Sequence, residues 1–141
     1  MPDPRADAAA ERLHAVAVRM LRLVRGDARE SGLSGPRLSA LAALVSRGPL
    51  SLAGLAAAEQ VTPPTMTRIV DGLVRPGLAT RTPEPENRRR VRIVPTDEGR
   101  RLLDEGRRRR TQVVAGRLDR LAESERRAVE RAIELLERAL R

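Results

Sequence analysis

Apolar residues recur every three or four positions in separate blocks of this 141-residue chain, which is the spacing of helices with one buried face. After an N-terminal arm of about eight residues, the first block predicts helix 1 up to about Gly26. Ser34 is the expected cap of helix 2, which ends at Arg47 and Gly48, and Ser51 caps a short helix 3. The apolar faces comprise Leu13, Val16, Met20, Leu23 and Val24, then Leu38, Leu41, Ala42 and Val45, then Leu52, Leu55 and Ala56.

The fourth helix is the most informative segment. Thr62 is expected to be its N-cap, Pro63 suits the first helical position, and Pro76 with Gly77 ends the helix. Its inner face consists of apolar residues at helical spacing, namely Met66, Ile69, Val70 and Leu73. That spacing leaves a polar outer face of Thr65, Arg68, Asp71 and Gly72, with Thr67 at the border.

Two short strands are predicted next, from Ala79 to about Arg81 and from Val91 to Val94. The residues between them, TPEPENRRR, contain two prolines and cannot be helical, so they are predicted to form a wing. Two short helices followed by an Arg-tipped hairpin are typical of a winged helix-turn-helix, in which the second helix enters a DNA major groove.

The terminal helices carry apolar faces with little of the chain left to cover them. Thr96 is expected to cap helix 5, whose apolar face is regained at Val113, Val114, Leu118 and Leu121 after the stretch DEGRRRRTQ. A last helix aligns Val129, Ile133, Leu136 and Leu140. We therefore expect a homodimer: a mainly α chain with a two-stranded β-wing, dimerisation helices in 1–33 and 97–141, and a DNA-binding lobe in 34–96.

Composition narrows the function. The chain has no Cys and a single His14, so disulfides, thiolate metal sites and thiol switches are excluded, and no metal or cofactor is expected. The absence of Phe, Trp and Tyr argues against single-strand binding by base stacking. No apolar run approaches membrane-spanning length, and residues 1–10 lack a signal-peptide core, so we expect a soluble cytoplasmic protein with no membrane partner.

The net charge of +9 is carried by Arg alone and is concentrated between residues 75 and 120, just after the recognition helix. Localised positive charge at that place favours a polyanion, and double-stranded DNA is the expected partner. No nucleophile–base arrangement or Gly-rich phosphate loop is present, so no enzyme activity and no catalytic residue are expected.

The segments TPPTMTRIVDGL, RPGLATR and PEPENRRRVRIVPTDEGR, in this order, resemble the MarR family of winged-helix transcription regulators over nearly the whole chain. The resemblance implies a dimer held by the N- and C-terminal helices, palindromic DNA as the target, and release by a small effector, here expected to be aromatic or anionic. Four positions depart from the family pattern. Asn87 occupies the place of the usual wing Asp, and Gly72 occupies a position that is often Arg in the recognition helix. Gln60 replaces the usual Gly in the turn, and Pro76 replaces a more ordinary residue at the helix end.

Arg68 is the strongest candidate for base recognition, because its planar fork can bind guanine O6 and N7 together. The alternative for Arg68 is a phosphate contact or a solvated side chain. Thr65 and Thr67 are expected to contact a phosphate or a thymine methyl, although Thr67 can also simply fill the helix border. Thr62 is more of a cap than a base reader, and Pro63 with Pro64 mainly sets the first turn.

The wing residues Arg88, Arg89 and Arg90 are expected to enter the minor groove or bind phosphates, with Arg89 aligned to the family's wing Arg. Since successive strand residues alternate faces, at most two of the three are expected to reach DNA together, and Asn87 is expected to shape the tip. The run Arg107–Arg110 sweeps around a helix and is expected to be solvated, pairing in part with Asp104 and Glu105, with an anion site as the alternative. His14 is expected on a packed or dimer surface, with pH sensing as the alternative.

The function predicted from these residues is a DNA-binding transcription regulator, acting as a repressor on a promoter palindrome. Two other functions stay open. One is a DNA-compacting protein that ignores sequence, and the other is a winged-helix module that binds proteins. A DNA-compacting protein is expected to bind palindromic and scrambled DNA equally well. A protein-interaction module is expected to keep its activity in the variants Arg68→Ala and Arg89→Ala.

Overall fold

The computed structural model describes residues 3–25 and 31–141. The elements in these ranges are α1 (Pro4–Arg25), α2 (Gly35–Arg47), β1 (Leu50–Ser51), α3 (Leu52–Ala58), α4 (Pro63–Val74), β2 (Ala79–Pro83), β3 (Val91–Pro95), α5 (Asp97–Leu118) and α6 (Glu123–Ala139). This mainly helical architecture with a small antiparallel sheet confirms the expected fold class. None of the described helices is both long and apolar enough to cross a membrane.

The described residues divide into two compact units, one formed by 3–25 and 108–141 and the other by 31–107. The second unit holds the buried core, in which α2, α3 and α4 pack on one another and on the sheet. The predicted inner face of α4 is confirmed, because all four of its residues are buried there. The core consists of Ala40, Leu41, Leu44, Leu55, Ala56, Met66, Ile69, Val70, Leu73, Leu78, Ala79 and Ile93.

The sheet has three strands in the order β1-β3-β2, and all pairs are antiparallel. Ile93 of β3 lies opposite Leu50 on one side and Arg81 on the other. The sequence pattern predicted only two strands, because β1 is two residues long and too short to show an alternation of its own. Strand β2 also continues to Pro83, beyond its expected end near Arg81.

The predicted eight-residue N-terminal arm is wrong for the residues that the structure describes, since α1 begins at Pro4. Asp3 precedes the helix and accepts hydrogen bonds from Arg5 N at its side chain, 2.9 Å, and from Ala6 N at its carbonyl, 2.9 Å. Proline at the first helical position completes this start. The expected end of the helix at Gly26 lies outside the described residues.

Leu121 was expected to extend the apolar face of helix 5, but α5 ends at Leu118. The chain turns there through hydrogen bonds from Arg120 N to Arg117 O, 3.3 Å, and from Leu121 N to Leu118 O, 3.0 Å. The side chain of Glu125 then accepts from Ala122 N at 2.8 Å and starts α6. A tight turn replaces the last helical turn, so Leu121 lies in the connection.

Thr96 caps α5 as predicted and also attaches it to the turn after α4. Its Oγ1 accepts from Gly99 N at 3.1 Å and donates to Gly77 O at 2.6 Å. Gly77 has a φ of 78°, which favours glycine. Gly99 is buried against the backbone of Leu78, with no room for a side chain. The end of the recognition helix and the start of α5 are therefore held together at one point.

Candidate nucleic-acid interface

The turn into the recognition helix α4 is built by the backbone. Val61 N donates to Ala56 O at 3.0 Å and Gln60 N donates to Ala57 O at 3.2 Å. Gln60 has a φ of 55°, in the left-handed region that costs a residue with a side chain roughly 1–2 kcal/mol. The chain therefore keeps a glycine-type turn although Gln60 replaces the glycine of the family pattern.

Thr62 occupies the N-cap position of α4 with an extended backbone, as predicted, but its side chain makes no capping hydrogen bond. The second helical residue is Pro64, which has no N–H to donate. The Thr62 hydroxyl instead pairs with the hydroxyl of Thr65, with 2.9 Å between the two oxygens. One hydroxyl hydrogen of this pair is used internally, and the other can be donated outward.

The exposed outer face of α4 carries Thr65, Thr67 and Arg68, as the spacing predicts. Thr67 Oγ1 donates to Pro63 O at 3.0 Å, so this side chain offers DNA its methyl group and lone pairs and not its hydrogen. Within the described part of the chain, no hydrogen bond or ion pair engages the Arg68 guanidinium. Arg68 is therefore the side chain of this face whose donors are all available to DNA.

The wing is closed at its base by two contacts. Glu84 N donates to Arg90 O at 2.8 Å, and Arg92 Nε lies 2.9 Å from Glu84 Oε1. The Glu84 side chain is only 18% exposed, so this ion pair is held more firmly than a fully solvated one. The hairpin therefore presents its tip on a fixed base.

Asn87 organises the wing tip. Its Oδ1 accepts from Arg89 N at 3.1 Å, and its carbonyl oxygen accepts from Arg90 N at 2.8 Å, which forms a side-chain-stabilised turn. Arg88, Arg89 and Arg90 all lie exposed in this turn, because β3 begins only at Val91. The expectation that they alternate faces as strand residues is wrong, and the limit of two Arg side chains reaching DNA no longer follows.

Two acidic side chains near these Arg residues, Asp71 and Glu84, are paired with other Arg residues that the sequence analysis missed. Arg81 of β2 pairs with Asp71 of α4 at 2.5 Å, and Arg92 pairs with Glu84. The partners in these pairs are ten and eight positions apart, so no helical or strand spacing relates them. The pairs reduce the negative charge beside the exposed Arg residues, which favours a polyanion partner.

The remaining candidates lie apart from this surface in the sequence. Arg107 and Arg108 are exposed, and Arg107 Nη2 is 3.7 Å from Asp104 Oδ1, as expected for a solvated helix. Arg109 and Arg110 are half-buried, so the expectation is wrong for these two residues. His14 is exposed on α1. Among the described residues, no group of three or more His, Asp or Glu side chains is placed to hold a metal ion.

Known proteins with a similar sequence or a similar fold are transcriptional regulators. A model described as the MarR family matches residues 33–91. A helix-turn-helix transcriptional regulator of Mycobacterium bovis is 34% identical over 119 residues, which are 84% of this chain and 83% of that protein. A transcriptional regulator from Thermotoga maritima, 21% identical, shares the fold with a TM-score of 0.85 over 95% of this chain and 94% of its own. A mutant of Staphylococcus aureus MepR bound to an oligodeoxyribonucleotide, 18% identical, shares it with a TM-score of 0.76 over 94% of this chain and 98% of its own.

Proposed function

Since the chain belongs to the MarR family and is a DNA-binding transcription regulator, we propose that it acts as a homodimeric repressor on an inverted repeat in promoter DNA. The observation that carries the proposal is the pairing, in one unit, of a recognition helix with an unengaged Arg68 and a wing with three exposed Arg residues at its tip. A solved protein of this fold, MepR, is bound to an oligodeoxyribonucleotide, which supports DNA as the partner.

On DNA, α4 lies in the major groove and Arg68 binds guanine O6 and N7 through its two parallel donors. Thr65 donates to a phosphate or contacts a thymine methyl, and Thr67 contributes its methyl group. Thr62 and Pro63 lie at the N-terminus of α4, which is the end that approaches base edges. Arg88, Arg89 and Arg90 bind phosphates or enter the minor groove, while Asn87 holds their turn.

A second copy of the chain is the partner that suits the terminal helices. In the unit of α1 and α6, large apolar side chains remain between 41% and 53% exposed within the helices, namely Leu13, Val16, Met20, Leu21 and Ile133. A two-fold interface buries the same patch on both copies at once. It also sets two α4 helices about 34 Å apart on one DNA face, which is the geometry that an inverted repeat requires.

A hollow of about 370 Å³ lies between α1 and α5, and it supports the proposal that a small effector binds this protein. Its lining is mostly apolar, with one guanidinium and one hydroxyl, from Val24, Arg110, Thr111, Val114, Ala115 and Leu118. This chemistry suits an aromatic acid, whose ring contacts the aliphatic groups and whose carboxylate pairs with Arg110. The effector and DNA are proposed to bind different conformations of the protein. Effector binding in the hollow then lowers the affinity for DNA, and the two sites are coupled.

The experiment is fluorescence anisotropy of a labelled duplex from the gene's upstream region, with a scrambled duplex as control, at about 150 mM salt. We expect nanomolar affinity for the upstream duplex and far weaker binding to the scrambled one. Equal binding to both, with a steep salt dependence, supports the DNA-compacting alternative. DNA binding that persists unchanged in Arg68→Ala and Arg89→Ala contradicts the assigned surface. A wild-type protein that binds neither duplex supports a protein-interaction module.

A further inference from the structure

Gly72 on the outer face of α4 is covered by a side chain from another helix. A Cβ atom built on Gly72 lies 2.8 Å from Nη2 of Arg37 and closer still to its Nε and Cζ. The Arg37 guanidinium, which comes from the first turn of α2, therefore rests directly on the backbone of the recognition helix. Only glycine at position 72 leaves room for it.

This arrangement explains a glycine that is otherwise unfavourable. Gly72 lies inside α4, where glycine is a poorer helix former than alanine and where its φ is not in the left-handed region that needs glycine. Among the described residues, Arg37 makes no hydrogen bond or ion pair, so no internal partner accounts for its position. The side chain can lie there because Gly72 has no Cβ atom.

Arg37 and Arg68 border the same hollow, of about 250 Å³, on the surface of the DNA-binding unit. Two guanidinium groups and two hydroxyl groups line it, and no carboxylate does; the lining residues are Ser34, Pro36, Arg37, Thr65, Arg68 and Ile69. Like charges brought together without an acid repel each other, and an anion between them removes that repulsion. The chemistry of the hollow therefore suits a phosphate group.

We propose that Arg37 is a further DNA-contacting residue, which binds a backbone phosphate beside the base read by Arg68 and is positioned by Gly72. The inference rests on the proposed function. A phosphate is favoured over a base because residues near the N-terminus of a recognition helix reach base edges, whereas Gly72 lies in its third turn. The role of Arg37 is then to fix the register of α4 on the duplex.

A double-mutant cycle tests the role of Gly72 without disturbing the fold. Gly72→Ala improves the helix propensity of α4 but displaces the Arg37 guanidinium. Gly72→Ala is expected to weaken DNA binding by about 3- to 10-fold and Arg37→Ala by about 5- to 20-fold, and the double variant is expected to bind like Arg37→Ala alone. Arg47→Ala, an exposed Arg at the opposite end of α2, is the matched control and keeps wild-type affinity.

The probe is a fluorescein-labelled duplex of about 30 base pairs, enriched by the wild-type protein from a random-sequence pool, with single-base-pair variants of it. Salt titrations are expected to show that Arg37→Ala reduces the slope of log K against log salt by about 1 per half-site, with equal losses on all sequence variants. Circular dichroism melts verify that Gly72→Ala unfolds at or above the wild-type temperature.

Each other outcome overturns a defined part of the proposal. Unchanged affinity and slope in Arg37→Ala, with the wild type binding tightly, overturn the contact but leave the proposed function intact. A loss confined to one base pair overturns the phosphate assignment. Additive losses in the double variant overturn the positioning by Gly72. Failure of the wild type to enrich any duplex counts instead against the proposed function.

Discussion

The Nη2 atom of Arg81 lies 2.5 Å from Oδ1 of Asp71, and this ion pair joins strand β2 to the outer face of the recognition helix. Both side chains are partly exposed, at 38% and 47%, so the pair contributes less than about 1 kcal/mol to stability. Asp71 is nevertheless a carboxylate on the helix assigned to the major groove. Arg81 offsets its repulsion of phosphate groups.

Arg81→Ala is therefore expected to weaken DNA binding by roughly 1 kcal/mol while changing the free energy of unfolding by less than about 1 kcal/mol. Anisotropy titrations and urea unfolding give the two quantities. The second variant, Asp71→Asn with Arg81→Ala, is expected to recover part of the affinity because the unpaired carboxylate is gone. A double variant that binds as weakly as Arg81→Ala would show that Arg81 itself contacts DNA.

Arg68→Ala is expected to cost about 1–3 kcal/mol of binding free energy and to relax the preference at one base pair in each half-site. The physical reason is the loss of two parallel hydrogen bonds to guanine. Competition among duplexes that differ by one base pair measures it, with Arg138→Ala on α6 as the control. Equal losses on every duplex, including a scrambled one, would reassign Arg68 to a phosphate.

Arg89→Ala is expected to weaken binding evenly across sequences and to reduce the salt slope by about 1 per wing, because a backbone contact is lost. Since Arg88 and Arg90 lie in the same exposed turn, their Ala variants are measured beside it. Salt titration of each variant identifies which of the three approaches a phosphate. An unchanged slope in all of them would contradict the role of the wing.

Gly99→Ala is expected to destabilise the protein by about 1–3 kcal/mol, because the added Cβ meets the backbone of Leu78 and lies 3.1 Å from Leu41 Cδ1. Gly116→Ala in the same helix is the matched control. Nothing lies within 4 Å of a Cβ at that position, so it is expected to stabilise by about 0.5–1 kcal/mol. Urea unfolding followed by circular dichroism at equal protein concentration measures both. Changes of the same sign would contradict the packing at Gly99.

Leu136→Glu, combined with Ile133→Glu, is expected to convert the proposed dimer into monomers, since two charges enter an apolar interface. Light scattering with refractive-index detection measures the molar mass, as the chain has no Trp or Tyr. Arg131→Glu, on the opposite side of α6 by helical spacing, is expected to leave the mass unchanged. A wild-type protein that is already monomeric at micromolar concentration would overturn the dimer.

How much of the site follows from the sequence differs from residue to residue. The start of α4 at Pro63 and its buried face were predicted because capping, proline position and apolar spacing are local properties. The start of α1 at Pro4 was missed although Asp3 and Pro4 are a local signal, since the following Ala-rich segment has no apolar period. The start of β3 at Val91 was predicted, but Arg88–Arg90 were given the alternating faces of strand residues, whereas they lie in a turn held by the side chain and carbonyl of Asn87.

The sequence by itself determined the winged helix-turn-helix, the identity of the recognition helix and the Arg-rich wing, because each depends on neighbours within one or two turns of the chain. The tertiary structure alone decided that Asp71 is paired with Arg81, that β1 adds a third strand, and that Arg37 lies over Gly72. These contacts join residues on different elements. Their distances depend on how α2, α4 and the sheet pack around the buried core, which no periodicity along the chain encodes.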